Sequence, residues 1–261
     1  IINILNMMRG QIPGVEFHFL FVVYGTVAGT ERNLIMVDNT TDFSDSTFDN
    51  IDPAHILTLK AAQLNAKQNW TAGVIVLDPA DSWQAAVFKA NETSSFEAVV
   101  LDKPDTGNST LENAITFRAE LKAKLGREVF MICTLPGIND DSVTGETWAQ
   151  WLAQTVALPK TIASEYITLV PQVHKNNSTL GIYAGRLANQ EVSIADSPAR
   201  VKTGSVLGSM ELATDKDGKP LELATLKALE AARIAVPMWY PDYPGQYWTT
   251  GRTLDVPGGD Y

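Results

Sequence analysis

The sequence contains the stretch Gly73-Val74-Ile75-Val76-Leu77, followed directly by Asp78-Pro79. It is a short apolar run that ends at turn-forming residues, which is typical of a strand buried on both faces. Strands of this kind occur in parallel sheets that helices cover on both sides. The surrounding sequence is therefore expected to alternate between short apolar runs and amphipathic helices.

The neighbouring sequence shows this alternation. Further strands are predicted at Phe17–Tyr24, Asn33–Val37, Phe96–Leu101, Val129–Thr134 and Ile167–Val170. Apolar side chains at helical spacing predict helices that include Leu57, Trp83, Phe117, Trp151, Leu180 and Leu226. The alternation predicts an α/β fold with a largely parallel or mixed sheet and helices on both faces.

Several residues mark the ends and contacts of the predicted helices. Asp52-Pro53 suits an N-cap followed by the first helical position, and Ser109–Glu112 reads as a capping box. Gly126 is a suitable C-terminal stop. Gly181 and Gly185 lie on one side of a predicted helix and would permit close packing against a neighbour.

The chain divides into two predicted parts. Residues 1–14 show little periodicity and are predicted to form an N-terminal arm or linker, whereas residues 15–261 are predicted to form one α/β body. The chain does not begin with Met and stops after Gly258-Gly259-Asp260-Tyr261, which suggests a fragment of a longer protein.

Composition argues against two classes of partner. The formal net charge is −10, and an acidic surface repels both phosphate backbones and anionic lipid headgroups. The longest strongly apolar run, Phe17–Tyr24, is shorter than the roughly 20 residues that a membrane helix needs. We therefore expect neither a nucleic acid nor a membrane as partner.

The residues that could support catalysis are scattered through the chain. His18, His55 and His174 form no metal-binding spacing, and Cys133 lies in an apolar run that predicts a buried strand. The glycine-containing loop Gly25–Thr30 lacks the Gly-Lys-Ser/Thr ending of a phosphate loop. We therefore predict no enzyme activity, no cofactor and no metal site.

The C-terminal stretch Val236–Trp248 is the most unusual in composition, with five aromatic residues and three prolines. The prolines exclude a continuous helix. Three interpretations of this stretch remain open: an irregular segment that fills the core, a contact with a partner, or an aromatic groove for a sugar or peptide. These interpretations depend on the aromatic side chains of Trp239, Tyr243, Tyr247 and Trp248.

Several motifs near the C-terminus resemble a family of tail sheath proteins from contractile-tailed phages and prophages. They are Asp196–Val201, Tyr240–Gly245, Tyr247-Trp248, Gly251–Asp255 and Gly258–Tyr261, and Ala184–Leu187 extends the similarity upstream. Many members of this family carry only the label of a domain of unknown function. The motifs are structural, so they indicate a lineage and no active site.

The resemblance implies a structural subunit that stacks as hexameric rings around a tail tube and contracts during injection. Its partners would be copies of itself in a helical lattice and the tail tube protein, in a virion tail assembled in the bacterial cytoplasm. The resemblance also implies a C-terminally truncated body, because family members continue into a domain that contacts the tube. Arg252 and Asp255 are expected to face that missing domain, and Trp239, Tyr243 and Trp248 to contact a subunit or domain.

Two other functions stay open at this point. The first is an α/β hydrolase-like enzyme, because Asp78 and Asp102 follow predicted strands, where open α/β sheets bind ligands. Convergence of both carboxylates in one pocket would favour it. The second is a carbohydrate- or peptide-binding module, which exposed coplanar rings in the C-terminal stretch would favour.

Overall fold

The sheet of the molecule is mixed, as the sequence predicts, and its central strand is β1. The computed structural model describes residues 19–29, 32–66, 70–104, 107, 109–188, 211–240, 243–248 and 253–255. The predicted N-terminal arm and the start of the first predicted strand lie outside the described residues. Within these ranges the chain forms a six-stranded sheet, six α-helices and a two-stranded hairpin.

The six strands follow the order β2-β3-β1-β4-β5-β6. Their bounds are β1 Phe19–Tyr24, β2 Arg32–Asp38, β3 Thr71–Leu77, β4 Ala98–Leu101, β5 Phe130–Leu135 and β6 Ile167–Pro171. Every pair is parallel except β2 with β3, which is antiparallel. The predicted strands Gly73–Leu77, Phe96–Leu101, Val129–Thr134 and Ile167–Val170 therefore lie in the parallel part of the sheet, within two residues at each boundary.

Strand β1 is buried on both faces. Phe19 to Val23 have no exposed surface. Their side chains alternate between two apolar clusters, because successive residues of a strand point to opposite faces. Leu20 and Val22 belong to one cluster, and Phe19, Phe21 and Val23 belong to the other. Each face therefore needs its own cover of helices.

The helices provide that cover on both sides. Their bounds are α1 Pro53–Ala66, α2 Trp83–Thr93, α3 Ser109–Leu125, α4 Trp148–Thr155, α5 Thr179–Ala188 and α6 Leu223–Ala231. Helices α1 and α5 pack on the face of Phe21, whereas α2, α3, α4 and α6 pack on the face of Val22. Among the described helices, none combines the length and the apolar character that crossing a bilayer requires.

The predicted helix ends at Asp52 and Gly126 are found, whereas helix α3 begins at Ser109 itself and the capping box predicted at Ser109–Glu112 stays a prediction. The Asp52 carboxylate accepts a hydrogen bond from the Ala54 amide at 2.9 Å, as expected of an N-cap. Gly126 follows α3 with a φ of 66°, a left-handed conformation that glycine adopts without strain. Helix α4 begins with a capping box between Thr147 and Gln150 that the sequence analysis did not single out.

The two helices on the Phe21 face cross at very short range. A Cβ atom placed on Gly181 would overlap the carbonyl oxygen of Thr58, and one on Gly185 would overlap that of Ala62. Backbone atoms of α1 therefore occupy the space that side chains on α5 would need. This confirms the predicted role of the two glycines.

Backbone hydrogen bonds from the C-terminal segment occupy part of the outer edge of β6. The Ala235 amide donates to the Leu169 carbonyl at 2.9 Å, and the Leu254 amide donates to the Ile167 carbonyl at 2.8 Å. The hairpin that follows Ala235 consists of β7 Pro237–Tyr240 and β8 Tyr243–Trp248 in antiparallel pairing. The C-terminal segment therefore covers the β6 edge of the sheet.

The substitutions Gly181→Ala and Gly185→Ala test the helix crossing. We expect each to lower the free energy of unfolding by about 1–3 kcal/mol, because overpacking against backbone outweighs the higher helix propensity of alanine. The matched control is Gly107→Ala, since a Cβ there meets nothing within 4 Å. Urea titration is the measurement, and stability equal to the wild type in both helix variants would contradict the described crossing.

Candidate functional site

The hairpin β7–β8 carries the aromatic residues that the sequence analysis marked as candidates. Trp248 is 5% exposed and its ring lies 4.7 Å from that of Tyr183 in α5, measured between centroids. Tyr247 is also buried, and Trp239 is half-buried against the apolar cluster of the Val22 face. The side chain of Tyr243 lies outside the described structure.

These positions bear on the three readings of the stretch. Buried rings cannot form the wall of a surface groove, so Tyr247 and Trp248 are not available to a carbohydrate or a peptide in this conformation. Trp248 is instead part of the core that joins the hairpin to α5. A role of Trp239, Tyr243 and Trp248 in contacts with another subunit or domain stays a prediction.

One arginine fastens the segment that follows the hairpin. Arg233 has a φ of 67° and points its guanidinium at four backbone carbonyls. These acceptors are Leu254 at 2.7 Å, Asp255 at 3.0 Å, Pro159 at 2.5 Å and Ile162 at 3.1 Å. The planar fork of arginine suits such a cluster, because it presents five donors in a fixed geometry.

One of the two charged residues that were expected to face a further domain lies beside this clamp. Asp255 is half-buried beside the clamp, and its carbonyl is one of the four acceptors. Arg252 lies outside the described residues. The expectation that both residues face a further domain therefore stays a prediction.

A buried histidine ties the hairpin to the body. The Thr179 hydroxyl oxygen accepts hydrogen bonds from the amides of Val173 and His174 at 2.9 and 3.0 Å. Because both of its lone pairs are then used, the hydroxyl donates its proton to Nδ1 of His174, 2.9 Å away. The other ring nitrogen, Nε2, therefore carries the proton and donates to Oε1 of Gln246 in β8 at 2.7 Å.

This arrangement, which we call the His174 bridge, requires an uncharged imidazole. Protonation of Nδ1 would place a second proton in the bond with Thr179. Burial lowers the pKa of His174 below its usual value, and the bond to Gln246 offsets part of that effect. The bridge is therefore intact near neutral pH and weakened by acid.

A cleft of about 350 Å³ lies beside the carboxyl ends of β1 and β4. We call it the strand-end cleft. His55 of α1 and Asp102, which follows β4, meet there with 2.7 Å between Nδ1 and Oδ2. Tyr24 packs beside them, with 5.9 Å between its ring centroid and that of His55. The Tyr24 side chain, the last of β1, lines the same cleft.

The pairing of His55 with Asp102 was not predicted. The available signal was positional: Asp102 follows a buried strand, and His55 lies in the first turn of a helix that begins at the same edge of the sheet. The other candidate carboxylate, Asp78, is not part of the cleft lining, and its Oδ2 accepts from the Gly29 amide at 3.0 Å. The convergence of Asp78 and Asp102 that would favour a hydrolase is therefore not found.

The remaining candidates do not join this cleft. His174 lines a second cavity of about 280 Å³, and His18 lies outside the described residues. Cys133 is fully buried in β5, as predicted. In the part of the chain that the structure describes, no three histidine, cysteine, aspartate or glutamate side chains are grouped so that they could hold a metal ion.

Comparison with known proteins relates the chain to phage tails. Residues 1–252 match the N-terminal domain of the family DUF2586. A curated protein of Haemophilus phage HP1 (strain HP1c1), named as a tail sheath protein, is 45% identical over 264 residues, which cover 100% of this chain and 69% of that protein.

A solved structure shares the fold. It is the cryo-EM structure of the anti-feeding prophage helical sheath in its contracted state, with a TM-score of 0.52 and 12% identity over 94% of this chain. The chain spans 64% of the length of that sheath protein. At this identity the match shows a common fold and nothing finer.

The role of Trp248 can be tested by truncation. We expect Trp248→Ala to lower the free energy of unfolding by about 3–5 kcal/mol, because it leaves a cavity against Tyr183. Trp239→Ala is the matched comparison. Because the Trp239 ring is only half-buried, its removal should lower the free energy of unfolding by less. Chemical denaturation of both variants is the measurement. Wild-type stability of Trp248→Ala would mean that the ring is not part of the core.

The His174 bridge predicts a pH dependence of stability. A histidine whose folded pKa is depressed binds fewer protons in the folded state than in the unfolded state. The contribution of His174 to the free energy of unfolding is therefore complete above the pKa of histidine in the unfolded chain, about 6.5, and is lost as the pH falls below that value. The variant His174→Gln should lack this loss between about pH 7 and pH 5, measured by urea titration at each pH.

The acidic groups provide an internal reference for this experiment. Hydrogen bonds lower the pKa values of Asp38 and Asp141, whose contributions are therefore lost only at lower pH. In that lower pH range, the free energies of unfolding of the wild type and of His174→Gln should change in parallel with pH. Identical curves across the whole range would contradict the uncharged bridge.

Proposed function

The chain belongs to the DUF2586 family, and we propose that it is a structural subunit of a contractile phage tail sheath. The observation that carries this proposal is the similarity along the whole chain to the phage protein named as a tail sheath protein. The shared fold with a helical sheath supports it independently of sequence identity. In this role the chain acts by assembly, and its partners are first of all other copies of itself.

The finer proposal concerns the assembly. Copies of the subunit stack as hexameric rings around a tail tube protein and contract during injection, in a virion tail assembled in the bacterial cytoplasm. The phage relative is longer than this chain, and its further part lies outside the matched region. We assign the contact with the tube to that further part.

The body described above suits a mechanical role. Its central strand is buried on both faces, and α1 and α5 pack backbone against backbone at Gly181 and Gly185. Such packing resists continuous deformation, because close-packed interiors do not adjust gradually. Contraction would therefore change the contacts between copies while each body moves as a rigid unit.

The hairpin supplies a mechanical link in this proposal. The Arg233 clamp, the His174 bridge and the packing of Trp248 hold the C-terminal segment at three separate places on the body. A force applied to the chain beyond Asp255 would thus be transmitted to the sheet and to α5 rather than unravelling the hairpin.

An enzyme is the less well supported alternative. A hydrolase that forms an acyl intermediate would need a nucleophile beside the base His55. The described residues that line the strand-end cleft include no serine or cysteine. The hydroxyl of Thr58, which also lines it, donates to the Ala54 carbonyl at 3.3 Å. We therefore assign the chain a structural role.

The assembly state tests this proposal. We expect residues 1–261 to be a monomer or a weak dimer at micromolar concentration, because association must offset an estimated 4–15 kcal/mol of lost rigid-body freedom. The net charge of −10 adds repulsion between copies, which salt screens. The same chain extended by the further segment of the phage relative should form rings or tubes.

Light scattering at several salt concentrations compares the two forms. A stable hexamer of residues 1–261 would show that the further segment is dispensable for assembly. An extended protein that stays monomeric in all of these conditions would contradict the sheath proposal.

A further inference from the structure

Helix α6 ends in a backbone turn that proteins usually assign to glycine. The Arg233 amide donates to the Glu230 carbonyl at 3.0 Å, and the Ile234 amide donates to the Leu229 carbonyl at 3.1 Å. This pair of hydrogen bonds forms a Schellman motif, in which the residue after the helix cap is left-handed and is usually glycine. Here that residue is Arg233, with a φ of 67°.

Another helix of the same molecule follows the usual rule. The left-handed residue at the end of α3 is Gly126, with a φ of 66°. Because a Cβ atom disfavours this conformation, arginine at nearly the same φ carries backbone strain that glycine avoids. Strained residues persist where the surrounding structure holds them, and they cluster at clamps and switch regions. The backbone turn alone therefore does not explain the arginine.

The contacts of the Arg233 side chain provide an explanation. Two of the carbonyls that its guanidinium bonds, those of Pro159 and Ile162, follow α4. The other two, those of Leu254 and Asp255, follow the hairpin. Hydrogen bonds from a charged donor are stronger than neutral ones, and the guanidinium can make several of them at once. The side chain therefore joins two distant segments to the end of α6.

One of these segments is residues 253–255, which we call the exit strap. It lies at the start of β6, where the Leu254 amide donates to the Ile167 carbonyl at 2.8 Å. The Leu254 carbonyl also accepts from the Ser164 amide at 2.9 Å. The Leu254 side chain is fully buried in the cluster of the Val22 face. The exit strap is therefore a short piece of chain that packs on the body beside the Arg233 clamp.

Other segments cover the rest of this sheet edge. The Ala235 amide donates to the Leu169 carbonyl in the middle of β6. The Ala213 amide donates to the Val173 carbonyl just beyond β6, at 3.0 Å. Neither bond involves the exit strap or the guanidinium of Arg233. The strap can therefore open locally while the remaining edge stays covered and the body stays folded.

We propose that Arg233 is a latch that holds the exit strap on the body, and that the strap opens as one local unit when the latch is broken. The latch sets the direction in which the chain that follows Asp255 begins, and its release provides a hinge there. Only the role of this hinge in assembly rests on the sheath proposal, because the latch itself lies within one body.

Two substitutions separate the latch from the backbone turn. Arg233→Gly suits the left-handed conformation and removes the guanidinium, whereas Arg233→Lys keeps the charge and the strain but lacks the planar fork. The matched control is Arg127→Lys, at another guanidinium that bonds backbone carbonyls. Its acceptors are Asn91 at 2.5 Å and Ser94 at 3.4 Å, at the end of α2.

Amide hydrogen exchange of residues 1–261, followed by NMR, is the primary measurement. We expect the Leu254 amide to exchange at least about tenfold faster in both Arg233 variants, because each loses hydrogen bonds from a charged donor. The Ala213 amide, at the other end of the same edge, should exchange as in the wild type. In Arg127→Lys both amides should exchange as in the wild type.

A residue that merely ends the helix would give a different result. Glycine would then serve at least as well, and the Leu254 amide would keep its wild-type protection in Arg233→Gly, which would overturn the proposal. Equal loss of protection at Leu254 and Ala213 would overturn it too, because the latch must open without unfolding the body. Failure of both Arg233 variants to fold would overturn it for the same reason.

The role in assembly is tested by light scattering of the chain extended by the further segment of the phage relative. We expect Arg233→Gly to form fewer rings or tubes than the wild type, and Arg127→Lys to assemble as the wild type does. Wild-type assembly of Arg233→Gly would overturn the role of the latch in directing the following chain. An extended wild type that stays monomeric would count against the sheath proposal, while the exchange of Leu254 still decides whether the latch exists.

Discussion

The structure depends on one constraint, which is that neither face of β1 can be left to water. Phe19 to Val23 have no exposed surface, so each face of the sheet requires its own layer of helices. On the Phe21 face only α1 and α5 supply that layer within the described helices, and they do so by crossing at Gly181 and Gly185. The covered sheet in turn gives the strand-end cleft and the hairpin a rigid support.

This constraint explains why both candidate regions lie where they do. Parallel strands place their carboxyl ends at one edge, which brings together Tyr24 at the end of β1 and Asp102 just after β4. The hairpin β7–β8 sits against α5 and the end of β6, held by His174 and Trp248. In the proposed sheath function, this attachment would transmit force between the body and the chain that follows it.

The sequence predicted most local features and few long-range ones. Periodicity located the parallel strands, and Asp52 and Gly126 marked helix ends, because these signals depend on neighbouring residues. The antiparallel pairing of β2 and the contact of His55 with Asp102, 47 residues away, depend on topology, which no local pattern encodes. The same holds for the position of Trp248, because the aromatic composition of the stretch around it suits a core or an interface equally.

The sheath proposal is that this chain builds the outer layer of a contractile tail. Its most direct test is a cryo-EM reconstruction of tail particles from a lysate of cells that carry the gene. We expect the six-stranded body to fit, as one rigid unit, into every subunit of a helical layer around the tube in both extended and contracted tails. Tails whose sheath density is filled by a different chain, with this protein absent from the purified particles, would contradict it.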